Sequence, residues 1–137
     1  MKYSKINDKL TVAPQICADD IVQIKTLGCG TIICNRPDGE APDQTEFAAI
    51  EAAAKAAGLD IIHQPITPPT LNLTSAKEFA QLVQSADAPV FAYCRTGTRC
   101  ITLWALSERE NGADIDDLIE FCGELGYGIA APLQNIR

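Results

Sequence analysis

An apolar run, Pro89-Val-Phe-Ala-Tyr, stops at Cys94, and the residues that follow, Arg95-Thr-Gly-Thr-Arg99-Cys100, are small or cationic before a helical pattern begins. Val90 to Tyr93 is uncharged, aromatic and β-branched, which predicts a buried strand. Thr96 and Thr98 can bond their own backbone and Gly97 can take φ > 0. The amides from Arg95 to Cys100 can therefore curl inward as an anion-binding nest at a helix N-terminus. Cys94 would form the floor of that nest. The helix dipole, the inward N–H groups and Arg99 would favour thiolate there, and such settings lower cysteine pKa values by roughly one to five units from about 8.5. A cysteine ending a buried strand is in many proteins no more than a small hydrophobe. An arginine in a tight loop, however, needs an anionic partner, and no carboxylate lies between Pro89 and Ser107. Strand, loop and helix thus point to a nucleophile, Cys94, with an anion ligand, Arg99.

The rest of the composition bounds what such a site can serve. The chain has 137 residues, 47% of them hydrophobic, enough for one domain spanning 1–137 to bury a core unaided. A net charge of -7 without a basic run argues against nucleic acid or an anionic membrane as partner. No long apolar segment or basic-then-apolar leader is visible, since Met1 to Lys9 reads as polar throughout; a cytoplasmic protein is expected. The six cysteines stand singly, without a Cys-x-x-Cys pair and with one histidine, so free thiols are expected and neither a metal site nor another cofactor. Cys100, across the loop from Cys94, is either a core-facing helix residue or a resolving thiol.

In chain order, Leu10–Ala13 predicts a first strand, 18–27 a helix stopped by Gly28, and Thr31–Cys34 a strand buried on both faces. A charged loop with Asn35, Arg36, Asp38 and Glu40 follows. Thr45–Ala57 predicts a second helix, 59–64 a third buried strand ending at His63-Gln64, and Ser75-Ala-Lys-Glu78 a capping box for a helix to Ser85. After the Cys94 loop come helices over 100–111 and 114–125, and the tail with Gly128 and Pro132 is expected to be irregular. The alternation implies an α/β fold, a mostly parallel central sheet of about four strands flanked by helices. Ligands in such sheets bind beyond the carboxyl ends of the strands, where the Asn35 loop, His63 and Cys94 would share one rim.

Cys94 to Cys100, with Cys34-Asn-Arg-Pro-Asp-Gly-Glu40 and Leu10-Thr-Val-Ala-Pro-Gln-Ile16 upstream, resembles the phosphatase-like domain of the beta-lactamase-hydrolase-like proteins over nearly the whole chain. The resemblance implies a tyrosine- and dual-specificity-phosphatase-like fold, and it links some members to sulfur transfer beside a persulfide-oxidising protein or domain. Phosphate cradles of that fold are built on Cys-x5-Arg with an aspartic acid donor on a neighbouring loop. Here Arg99 follows four intervening residues, as in rhodanese-like loops, and Cys100 stands where the longer motif places arginine. The loop after His63, Gln64 to Thr74, has no carboxylate or imidazole. Hydrolysis of a phosphate ester gains about 10²- to 10⁴-fold from a general acid, whereas sulfite or a thiolate leaves unaided. The expectation is an enzyme in which Cys94 carries sulfane sulfur to a thiol acceptor. Arg99, the loop amides of Thr96, Gly97, Thr98 and Cys100, and the nearby Arg95 would hold a small anionic substrate: thiosulfate, a persulfide or a phosphate ester. Arg36, Asp38, Glu40 and His63 are auxiliary candidates, with a solvated turn as the plainer reading of the two acids and a half-buried structural residue that of His63. The alternatives are a phosphomonoester hydrolase acting through a cysteinyl phosphate, and a non-catalytic anion-binding or redox-sensing domain.

Overall fold

The computed structural model describes residues 1–136. Its centre is a five-stranded sheet of order β1-β2-β5-β3-β4, with β1 at Ser4–Lys5, β2 at Leu10–Ala13, β3 at Thr31–Cys34, β4 at Asp60–His63 and β5 at Val90–Tyr93. β2, β5, β3 and β4 run parallel, and β1 is antiparallel to β2. The helices are α1 (Ile21–Thr26), α2 (Phe47–Ala56), α3 (Leu73–Ser85), α4 (Thr98–Glu110), α5 (Ile115–Glu124) and α6 (Ala130–Asn135).

The central strands are buried on both faces, so alternate residues feed two cores. Along β5, Val90 and Ala92 join Phe79, Leu103, Leu106, Leu118 and Leu133 beneath α3 to α6. Phe91 and Tyr93 join Ile21, Ile24, Ile50 and Ala54 beneath α1 and α2. Helix α4 is enclosed by its neighbours, with Cys100, Ile101, Thr102, Leu103, Ala105, Leu106 and Ser107 all buried. It leads directly out of the Cys94 loop, so the loop is anchored at both ends in core.

The sheet has one strand more than expected. Ser4–Lys5 pairs with Val12 and Thr11, and a two-residue strand is too short to leave a periodic signal. The tail carries α6, secured by Leu133 in the core and by an Arg109 guanidinium donating to the Leu133 carbonyl. Helix α4 opens at Thr98 rather than Cys100, because Gly97 at φ 92° already turns the chain into it. The capping box lies one turn earlier than Ser75–Glu78: the Asn72 carboxamide accepts from the Ser75 amide at 2.9 Å, and Ser75 Oγ accepts from the Asn72 amide at 3.1 Å. Ser75 is the third helical residue, not the cap.

With Asn72 as the cap, Asn72→Ala should destabilise the protein by about 1 kcal/mol in a denaturant titration, the usual cost of losing an N-cap. Glu78→Ala, on the exposed side of α3, should change the midpoint little. The reverse order would restore the Ser75–Glu78 cap.

Candidate active site

Sheet-like pairing continues beyond the strand ends and fixes the loops on the rim. The Cys94 amide donates to Ala13 O, Gln15 N to Arg95 O, Asn35 N to Tyr93 O, Gln64 N to Cys34 O and Ile66 N to Asn35 O. The loops after β2, β3, β4 and β5 are therefore held side by side, as parallel topology requires of a ligand-binding edge.

Cys94 is fully buried, and its Sγ accepts from the Gly97 amide at 3.1 Å. Its pKa is lowered to about 6, first by the hydrogen bond from the Cys100 side chain, then by the amides of Cys100, Arg99 and Gly97, against the opposing effect of burial. Cys100 is itself fully buried. Burial, followed by the neighbouring Cys94, drives its pKa well above the ordinary thiol value. It therefore stays protonated and serves as donor. The sequence assigned part of the thiolate's stability to the Arg99 guanidinium. In the structure Arg99 contributes its backbone amide, while its side chain turns away to the neighbouring loops. Gly97 is required by its φ of 92° and also by space, because a Cβ there would meet the Tyr127 hydroxyl at 2.6 Å.

Arg99 donates from Nη1 to Ile66 O at 3.1 Å and from Nη2 to Glu40 Oε1 at 2.9 Å. The same Glu40 oxygen accepts from Arg36 Nε at 3.0 Å, and Arg36 Nη1 reaches Gln15 Oε1 at 3.0 Å. Arg36 is 4% exposed, so this buried charge depends on its partners. Arg99 and then Arg36 hold the Glu40 carboxyl below the usual carboxylate range, although its side chain is about a quarter exposed. Glu40 is thus an ionised clamp between two guanidiniums and not a proton reservoir.

The other auxiliary candidates have structural partners. Asp38 Oδ1 accepts from the Phe47 amide at 2.8 Å, closing the first turn of α2. His63 stacks on Phe47 with ring centroids 4.3 Å apart, and its Nε2 lies 3.0 Å from Arg36 O. A carbonyl only accepts, so Nε2 carries the proton and His63 supports the Arg36 backbone. Asn35 Nδ2 donates to the Gln64 carbonyl and side chain. On the opposite side of the ring, Arg95 and Thr96 are exposed, and Thr96 Oγ1 donates to Thr98 Oγ1 at 2.9 Å. Thr98, at the first turn of α4, is half-buried. Among the described residues no cluster of three or more metal-ligating side chains occurs, and no helix is long and apolar enough to cross a membrane.

Sequence reasoning did not foresee Gln15, Ile66 or Tyr127 at the rim. Gln15 lay within a quoted motif but bears no charge, Ile66 acts through its carbonyl, and Tyr127 arrives from the distant segment between α5 and α6.

Residues 2–111 match the family model described as "Beta-lactamase hydrolase-like protein, phosphatase-like domain". A beta-lactamase hydrolase-like protein of Agrobacterium fabrum is 39% identical over 121 residues, covering 85% of this chain and 28% of that protein. The chain thus spans little more than a quarter of the curated relative. A solved structure of a candidate phosphatase from Neisseria meningitidis Z2491 is 38% identical, with a TM-score of 0.89, covering 98% of this chain and 97% of that one. TpbA of P. aeruginosa, solved in complex with pTyr, has a TM-score of 0.69 at 13% identity, covering 97% of this chain and 90% of its own, and so shares the fold.

Alkylation of Cys94 by iodoacetamide should rise through a midpoint near pH 6 and level off by about pH 8, because the thiolate is the reacting species. Removing the Cys100 donor as Cys100→Ala should move that midpoint upward. Cys122, whose thiol burial raises to about 11, supplies the slow internal reference in a peptide-resolved mass measurement. A Cys94 midpoint at or above that of an ordinary thiol would remove the nucleophile from the site.

Proposed function

The chain belongs to the family of phosphatase-like domains of the beta-lactamase hydrolase-like proteins, and on that premise we propose that it transfers sulfane sulfur through a persulfide on Cys94. The fold is that of the cysteine-based phosphatases, and the finer assignment turns on protons. The observation that carries it is the state of the neighbouring carboxylates: Glu40 is salt-bridged to Arg36 and Arg99, and Asp38 is spent on the Phe47 amide. The site thus combines an acidic thiol with a Glu40 held ionised between two guanidiniums and an Asp38 tied to the start of α2.

In the first half-reaction the Cys94 thiolate attacks the outer sulfur of thiosulfate. An S–S bond forms to Cys94, the S–S bond of the donor breaks with its electron pair, and sulfite leaves. The persulfide anion left on Cys94 inherits the amides of Gly97, Arg99 and Cys100. In the second half-reaction an acceptor thiolate attacks the terminal sulfur, forming the acceptor persulfide and returning Cys94 as thiolate. Neither leaving group needs protonation. To hold the donor's oxyanion by its planar fork, Arg99 exchanges the Ile66 carbonyl for the donor, while Arg36 keeps Glu40 ionised.

Phosphomonoester hydrolysis through a cysteinyl phosphate is the second reading. The structural likeness to a phosphatase solved with phosphotyrosine favours it. It requires an alkoxide to leave, or Glu40 to exchange its arginines for a proton during turnover.

Mixed with thiosulfate or a polysulfide, the protein should gain the mass of one sulfur atom at Cys94, released by cyanide or a thiol, as expected for a reversible persulfide. Cys94→Ser should abolish the adduct. Arg99→Lys should slow its formation about 10- to 100-fold, the loss expected for a charge-assisted hydrogen bond. Rapid, Cys94-dependent hydrolysis of p-nitrophenyl phosphate that collapses in Glu40→Gln, with no sulfur adduct from any donor, would establish the phosphatase reading instead.

A further inference from the structure

Beside the Cys94 ring, on the side away from Glu40, lies a groove of about 660 Å³ whose lining includes Lys2, Tyr3, Pro14, Arg95, Thr96 and Tyr127. Because β1 runs antiparallel to the other strands, its leading residues arrive at the same rim as Cys94. Arg95 and Thr96 belong both to the ring around the thiol and to the groove wall. The Tyr127 hydroxyl stands directly over Gly97. The groove's charge is opposite to that of the protein: the chain carries -7 overall, yet this lining contains two cationic side chains, Lys2 and Arg95, and no carboxylate. Tyr3, 42% exposed, and Tyr127 add flat faces that an uncharged ligand backbone can cover.

We propose that this groove binds the body of the acceptor, a low-molecular-weight thiol bearing carboxylates. This deepens and rests on the sulfur-transfer reading. Donor and acceptor then approach Cys94 from opposite sides, the donor anion on Arg99 and the acceptor's carboxylates on Lys2 and Arg95. A peptide-sized thiol suits a groove in the range of about 300–1,000 Å³ that small ligands occupy. The transfer step balances as above: the acceptor sulfur bonds to the terminal sulfur of the Cys94 persulfide, the bond to Cys94 breaks, and Cys94 leaves as thiolate.

The test is a single-turnover comparison of two acceptors on persulfide-loaded protein: glutathione, which bears two carboxylates, and dithiothreitol, which bears none. The rate ratio, glutathione over dithiothreitol, should fall at least about threefold in Lys2→Glu, the order expected for reversing one exposed charge. In wild type that ratio should fall as ionic strength rises and the groove is screened. A ratio unchanged by both treatments, with loading intact, overturns the groove assignment and leaves sulfur transfer standing. If wild type cannot be loaded at all, sulfur transfer fails separately. The groove is then decided by titrating S-methylglutathione: saturable binding that Lys2→Glu weakens retains an anionic-peptide site, and absence of binding removes it.

Discussion

A thiolate shut away from water must be compensated by its immediate surroundings, and the arrangement around Cys94 follows from that requirement. The parallel sheet delivers the cysteine to the end of its central strand, in the middle of the rim. Gly97 bends the chain back over it, and α4 begins at once, so that amides which would otherwise open a helix unpaired point at sulfur. The buried, protonated Cys100 adds a further donor. Each contribution depends on core packing, since α4 keeps its direction only because its sides are embedded among α3, α5, α6 and the sheet.

The second organising element is the convergence of Arg36 and Arg99 on one oxygen of Glu40. Two cations and one anion leave a positive remainder on the loops beside the Cys94 ring. A carboxylate in that position is a spacer and an orienting group. It keeps the arginines from repelling each other and draws the Arg99 side chain across to the Asn35 loop. His63 and Cys34 extend the support, both meeting the carbonyl of Arg36, so a lone histidine on the functional rim acts on the backbone of a cation.

The sequence made the centre of the molecule legible and its margins less so. Thr31–Cys34 and Val90–Tyr93 coincide with the observed strands because continuous apolar runs bounded by turns have few other interpretations. The nest was readable because Gly97 and its threonines state a local backbone geometry. The direction of the Arg99 side chain was not, since its partners Glu40 and Ile66 come from other loops and meet it only once the strands are ordered. Ser75 and Glu78 made a plausible cap, but Asn72, one turn earlier, is the better acceptor and also frees Ser75 to bond the Thr70 carbonyl. The final helix escaped notice because Gly128 and Pro132 look like breakers, although proline fits readily in a first helical turn.

The polarity of β1 has a practical side. An antiparallel edge strand reverses the usual geography of such sheets, in which chain beginnings lie far from the chemistry. Any affinity tag or upstream fusion joined ahead of Met1 would emerge beside Arg95 and Thr96. A cleavable label at that end would crowd the loop that carries Cys94, so tagged and untagged protein would expose that loop differently.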